Sequence, residues 1–360
     1  MIIPFFIMNR GCPHRCIFCN ERLTAGMDPD RIEEGMFART VRRGLAGGGR
    51  GRGAAEIAFY GGTFTALPPD EQIRLLEMAA PFLKEGSIGS LRISTRPDEI
   101  DARRLDLLRS HGVNTVEIGA QSLDDEVLRL SRRGHTVSDV DRSLALLRAA
   151  GFRTGLHLMA GLPGDSEERF AETIERTIGR RPDMVRIHPV IVLKDTVLAE
   201  EYRKGAYEPL TLSAAVARCT QALRKLDAAR IPVIRMGLQT TAELAEPGAV
   251  VAGPFYPAFR SLVESALMRE RAAELLAAAP IRERTVRFVL APADLSSFYG
   301  QGRTNVTFLK NAYGLKEIHT LVCPGLSRRT LALVTQAGAL LAGLDGAIAP
   351  IPEGRLRGGD

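Results

Sequence analysis

Short β-rich apolar runs alternate with longer amphipathic stretches from the first residues to about residue 190, and few architectures tolerate that order. The runs at 2–8, 56–60, 91–95, 114–119, 153–159 and 184–192 read as strands. Helical patterns occupy 70–84, 101–111, 138–150 and 166–180, with Asp70 and Ser138 as N-cap candidates and Gly112 and Gly151 as stops. Strands separated by helices must pair in parallel through right-handed crossovers. Six such units build a partial (β/α)6 TIM-type barrel, whose chemistry lies at the C-terminal strand ends. A doubly wound open sheet would show the same alternation.

After about residue 239 the pattern changes. A Gly- and Pro-rich stretch at 248–257 reads as a connector. A helix (258–279), a strand (285–290), a helix (302–313), a strand (317–323) and a last apolar helix or strand pair complete the chain. The expected organisation is therefore a barrel over 1–240 and a smaller C-terminal α/β appendage over 241–360. The tail at 355–360 is expected to fray.

Lys and Arg number 48 against 42 Asp and Glu, a net charge of +6 with both signs interleaved. That balance gives no concentrated footprint for nucleic acid. The densest basic stretch, Arg42 and Arg43 followed by the glycine-rich 47–53, reads as a solvated connector. No run approaches the roughly 18 apolar residues of a membrane span. The short apolar start leads into cysteines instead of a cleavage site, so a cytoplasmic protein is expected.

Three of the five cysteines fall within eight residues, at Cys12, Cys16 and Cys19. Such spacing suits a metal site in a reducing compartment better than a disulfide framework. Three thiolates can each take one iron of a cubane and leave the fourth iron open, whereas an electron-transfer centre normally has four cysteines. Zinc would need four ligands, and His14 could supply one. Zinc sites normally pair two ligand couples across a loop, and no second couple occurs here. Cys219 and Cys323 read as core.

The C-x3-C-x2-C motif after the first strand, with Phe18 before the third cysteine, resembles the radical S-adenosylmethionine (SAM) superfamily. The resemblance extends through Gly61-Gly62-Thr63, the 93–98 segment with Ser94, the 116–122 segment with Gln121, and the 132–136 segment with Arg133. The series is most similar to the radical SAM domain of elongator subunit 3 and less so to oxygen-independent coproporphyrinogen oxidases. The resemblance implies a [4Fe–4S] cluster on Cys12, Cys16 and Cys19 and SAM on its open iron. It also implies that Phe18 lies near the adenine and that Gly61, Gly62 and Thr63 bind the SAM amino group. Ser94 and Gln121 would meet the ribose, and Arg133 the carboxylate, where a guanidinium fork suits bidentate pairing.

By that resemblance the chain is expected to be an enzyme that cleaves SAM reductively to a 5′-deoxyadenosyl radical, acting on a substrate the sequence leaves open. A low-potential flavodoxin- or ferredoxin-type donor would supply the electron. The alternative is an elongator-3-like tRNA-binding or tRNA-modifying protein in which the cluster is largely structural. No acetyl-CoA loop is legible after residue 239. Glu117 and His157 remain open between ligand contact and internal pairing, and His135 reads as structural.

Overall fold

The computed structural model describes residues 1–26, 32–47, 55–279 and 284–356. The connector read at 47–53 lies outside them from residue 48 onward, as does the tail from 357. The chain forms two compact units, Met1–Thr211 with Leu238–Pro257, and Leu212–Gly237 with Ala258–Asp360. This interleaving differs from a single boundary at 240.

In the first unit, strands β1 (Ile2–Phe6), β2 (Glu56–Tyr60), β3 (Ser90–Thr95), β4 (Val113–Gln121), β5 (Arg153–Ala160) and β6 (Met184–Pro189) are hydrogen-bonded in chain order. Every pair is parallel. The sheet curls into a half-barrel. A doubly wound sheet would reverse its strand order at a switch point, and none occurs from β1 to β6. Helices α1 (Glu21–Ala25), α2 (Glu34–Gly47), α3 (Pro69–Lys84), α4 (Ala102–Ser110), α5 (Asp125–Leu130), α6 (Val137–Ala149), α7 (Glu167–Arg180) and α8 (Val197–Arg203) complete the order.

Period-two alternation decides which face each residue takes. Ile3, Phe5, Ile57, Phe59, Leu91, Ile93, Val116, Ile118, Leu156, Leu158, Val185 and Ile187 share one face, and each is buried. Helices cover that face. The Phe37 ring of α2 stacks on Phe5 at 4.2 Å and approaches Phe59, and Phe82 of α3 packs on Phe37. Each such side chain contributes about 1.5–3 kcal/mol through burial. The opposite, inner face carries Glu56, Tyr60, Arg92, Ser94, Glu117, His157, Arg186 and His188 by the same register.

Local signals were mostly placed within two residues. Ser166 caps α7, accepting a hydrogen bond from the Arg169 N–H. Helix α6 is capped by Thr136, not Ser138, because Thr136 and Asp139 satisfy each other's backbone N–H groups in a capping box. Asp70 lies inside the first turn of α3, after Pro68 and Pro69 have set the helix start. The 184–192 run divides in two. Strand β6 ends at Pro189, and β7 (Val192–Leu193) comes next. Strand β8 (Val233–Met236) falls in the second unit, while β9 (Val250–Ala252) returns to the first and pairs antiparallel with β7. The Gly/Pro-rich stretch thus includes a strand as well as connecting chain.

The second unit contains α9 (Leu212–Ala228), α10 (Phe259–Ala278), α11 (Leu295–Tyr299) and α12 (Thr304–Tyr313). Its strands are β10 (Thr285–Leu290), β11 (Glu317–Val322), β12 (Leu331–Thr335), β13 (Gly338–Ala342) and β14 (Ile348–Pro350), ordered β11-β10-β12-β13-β14. The last apolar segment is therefore a strand pair, β12 with β13. Met268, Leu275, Phe288, Phe298, Leu309 and Leu331 centre its core. Cys219 and Cys323 are buried in this unit, and burial pushes the Cys219 thiol up to about 12. Among the described residues, no helix is long and apolar enough to cross a membrane.

Candidate active site

The cysteine loop leaves the C-terminal end of β1 and is fastened to the end of β2. Ile7 and Asn9 donate backbone hydrogen bonds to Tyr60 and Gly61 (2.7 and 2.6 Å), and the Thr63 N–H donates to the Arg10 carbonyl at 3.0 Å. Two glycines permit this closeness. Gly11 sits at φ +74°, and a Cβ there would fall 2.3 Å from the Thr63 carbonyl oxygen. At Gly62 a Cβ would fall 2.6 Å from the Arg10 carbonyl oxygen. No side chain fits such gaps between backbones. Gly61, Gly62 and Thr63 therefore shape the loop that carries the cysteines.

Thr63 is fully buried, and its hydroxyl lies 3.2 Å from Cys12 Sγ. The Arg133 guanidinium donates to Cys16 Sγ at 3.0 Å, and Cys19 Sγ lies 3.6 Å from Asn9 Oδ1. Cys12 and Cys19 are exposed as whole residues, yet their sulfurs sit among protein atoms. Burial is the first cause raising both thiols above their ordinary range, followed for Cys19 by the charges of Glu21, Cys16 and Cys12. Burial also pushes the Glu21 carboxyl to about 8, opposed by the Asn9 N–H it accepts.

Among the described residues, no group of three or more His, Cys, Asp or Glu is arranged to hold a metal ion. A cluster makes a different demand, since each thiolate takes its own iron. The donor set fits that demand. Three mutually repelling thiolates in a desolvated loop need a cationic centre, and Arg133 already supplies part of the compensation at Cys16.

Arg133 comes from the loop after α5 and is fixed by its second hydrogen bond, to the Gly119 carbonyl at 2.6 Å. Gln121 ends β4 at φ +68°, an unusual conformation for a residue with a side chain. Its amide nitrogen would lie 3.0 Å from a Cβ on Gly119, and the Arg133 guanidinium 3.4 Å from the same point. Gln121 Oε1 and Arg133 Nε are buried without a hydrogen-bond partner. Strain and orphaned polar atoms concentrate where a ligand completes a site.

Not every expected residue joins this group. Ser94 lies on the inner face of β3, where its hydroxyl donates to the Phe59 carbonyl at 3.5 Å. Phe18 packs against an apolar cluster that includes Ile17, Val127, Leu162 and Val190. Glu117 pairs with Arg92 and Arg186 at 2.7 and 3.0 Å. His157 meets His188. His135 is buried with Nε2 3.2 Å from the Ala120 carbonyl.

Sequence reasoning missed the brace behind Arg133. Arg96 binds Asp98 with two hydrogen bonds (3.0 and 2.8 Å) and donates to the Arg133 carbonyl at 2.5 Å. Thr65, in the loop after β2, meets Thr95 at the end of β3 through a 2.5 Å hydroxyl contact. The Arg-Pro-Asp spacing at 96–98 was a usable signal for the first of these.

A half-barrel with a three-cysteine loop after its first strand defines a cluster-dependent enzyme class. The chain matches the Radical SAM superfamily over residues 6–177 and the Radical SAM C-terminal domain over residues 182–269. It belongs to the radical SAM superfamily, is an enzyme, and shares that family's cofactors, a [4Fe–4S] cluster and SAM. A tRNA uridine(34) acetyltransferase of Dehalococcoides mccartyi is 35% identical over 242 residues, covering 58% of this chain and 53% of that protein. Elongator complex protein 3 of Homo sapiens is 34% identical over 187 residues, covering 45% and 34%. The fold is shared with the archaeal Methanocaldococcus infernus Elp3 lacking its N-terminus, at a TM-score of 0.58 and 23% identity over 75% of this chain and 62% of that one. The chain spans about half the length of the curated relatives it matches.

Proposed function

We propose that Cys12, Cys16 and Cys19 hold the cluster, and that the enzyme cleaves SAM reductively to act on a nucleoside of an RNA substrate. The observation that carries the first part is the convergence of Arg133 on Cys16 and of Thr63 on Cys12, at 3.0 and 3.2 Å. The names of the tRNA-directed relatives support the second. When bound, the cluster and SAM supply a 5′-deoxyadenosyl radical, given one electron from a flavodoxin- or ferredoxin-type donor.

The chain's own residues do the positioning. Arg133, anchored to the Gly119 carbonyl, holds a fixed cation beside the cysteine loop, where it stabilises thiolate and suits a ligand carboxylate. Gln121 offers a buried acceptor oxygen. Gly61, Gly62 and Thr63 keep the loop close to β2, and the packed outer face keeps water from reaching the strand ends from behind.

Anaerobically reconstituted protein is expected to bind about four irons and to form 5′-deoxyadenosine from SAM on reduction. Cys16→Ala should abolish both. A variant that retained either the cluster absorbance or the cleavage product would refute the ligand assignment.

A further inference from the structure

Arg133 is 6% exposed, and among the described residues no carboxylate pairs with it. A buried cation without an acid calls for some other anion. Its terminal nitrogens donate to the Cys16 sulfur and the Gly119 carbonyl, at 3.0 and 2.6 Å, so a thiolate at Cys16 is the anion it meets. The backbone that presents it is strained. Arg132 stands at φ +50° and Gly134 at φ +73°, which sets Arg133 between two left-handed residues. Both of its own backbone groups are tied. Its N–H donates to the Leu128 carbonyl at 3.0 Å, and its carbonyl accepts from Arg96 at 2.5 Å.

Arg96 is 4% exposed and follows β3 directly. Pro97 opens the short turn Pro97–Glu99, which brings Asp98 back to the Arg96 guanidinium. Asp98 accepts from Nε and Nη2 at 3.0 and 2.8 Å. That pairing neutralises Arg96 and aims Nη2 at the Arg133 carbonyl. Nη1 is buried without a hydrogen-bond partner. Leaving a buried donor unmet costs stability, so the arrangement is poor as a purely structural ion pair. What it secures is the place of the Arg133 backbone, and with it the guanidinium at Cys16.

A donor on a cluster thiolate draws charge from the sulfur and favours the reduced, more negative cluster. Hydrogen bonds to the sulfurs are therefore among the factors that set a cluster's potential. We propose that Arg96, held by Asp98, is a positioning residue that acts through Arg133 to set how readily the cluster takes up its one electron. This rests on the reading that Cys16 is a cluster ligand, and it adds the residues that tune what that ligand holds.

The test reads the fraction of reduced cluster by EPR, in reconstituted protein without SAM, poised at one potential with dithionite and mediators. Arg96→Lys keeps the charge and loses the planar fork, so a role as a mere point charge predicts no change. Asp98→Asn removes an acid, so the same role predicts more reduced cluster. Positioning predicts a fall in both. The ratio of reduced to oxidised cluster should drop about tenfold, the scale of one hydrogen bond to a charged group. Arg133→Gln should lower it at least as far, and adding Arg96→Lys to that variant should change nothing more, since both act through one contact. In protein labelled with 15N in its arginines, pulsed EPR of the reduced wild type should show a nitrogen coupled to the cluster. That coupling should weaken in Arg96→Lys and vanish in Arg133→Gln.

If wild type binds no iron, or Cys16→Ala keeps its cluster, the ligand reading fails and the positioning role fails with it. If the cluster forms but Arg96→Lys and Asp98→Asn match wild type, or Asp98→Asn is the more reduced, the ligand reading stands and the positioning role is overturned. Additive losses in the double variant, or no nitrogen coupling in wild type, overturn it as well. Should Arg96→Lys and Asp98→Asn both lose their cluster, Arg96 is a support of the loop and no more, which also overturns the tuning role.

Discussion

His135 lies two residues beyond Arg133 and shows how strongly this corner of the fold selects one protonation state. Burial, then the charges of Arg133 and Arg96, lowers its pKa to about 3. The native protein therefore holds it neutral, while the unfolded chain takes up a proton below about 6.5. The stability it contributes is complete above that value and declines as pH falls from about 6.5 toward 3, because the unfolded state then binds the extra proton. At about 1.4 kcal/mol per unit, the loss by pH 5 is about 2 kcal/mol. Denaturant unfolding of wild type and His135→Gln at pH 7.5 and pH 5 measures it. The advantage of wild type should shrink by about that amount, and a gap independent of pH would show that His135 does not titrate as described. At this scale the sequence was legible where identity alone sets chemistry, as with the three cysteines. It was illegible where a role depends on backbone conformation, as with Gln121, whose φ of +68° and orphaned oxygen have no signature in the residue type. Arg96 lies within the 93–98 segment, but its brace on the Arg133 carbonyl depends on a partner 37 positions away.

The strands were legible because short β-rich apolar runs alternate with longer amphipathic stretches along the chain. What that alternation could not disclose is how the inner residues pair. Glu117 on β4 was open between ligand and ion pair; the register sets it in the row of Ser94 and Gly155, within reach of arginines on β3 and β6. Arg92 is 4% exposed and Glu117 3% exposed, so each depends on the other to remain charged inside the sheet. Burial opposes the charge of Arg92, but the hydrogen bond it donates to Glu117 and the neighbouring charges raise the pKa above the ordinary value. Glu117→Gln removes one charge and leaves two guanidiniums facing a neutral amide. The expected cost is about 3–5 kcal/mol, read as a lowered midpoint in thermal or denaturant unfolding. Glu117→Leu should be no better, because Arg92 stays. A loss below about 1 kcal/mol, the range of an exposed pair, would show that the sheet interior is far wetter than its packing implies. Cap positions were less legible than strands: Thr136 and Ser138 each have an acid three residues on, Asp139 and Asp141, and it is Thr136 that forms the capping box.

The chain's two units are not consecutive, and composition could not have shown it. The change of pattern near 239 and the Gly/Pro-rich stretch are real sequence features, but grouping is set by contacts between distant residues. Helix α9 precedes that change and nonetheless belongs to the second unit. Its Asp227, 4% exposed, is held by Arg329 through two hydrogen bonds of 2.6 and 2.7 Å, and Arg329 also donates its backbone N–H to Asp294. Removing the guanidinium in Arg329→Ala leaves a buried carboxylate without its fork, at a cost of about 3–5 kcal/mol. That cost should fall on one unit. Hydrogen exchange should show α9 and α10 losing protection together, while α6 and α7 in the half-barrel keep theirs and the cluster absorbance is unchanged. If α9 instead stayed protected while α10 opened, residues 212–237 would not be part of the second cooperative block. The interleaved division would then describe proximity without shared stability, and a boundary near 240 would be the better account of how the chain folds.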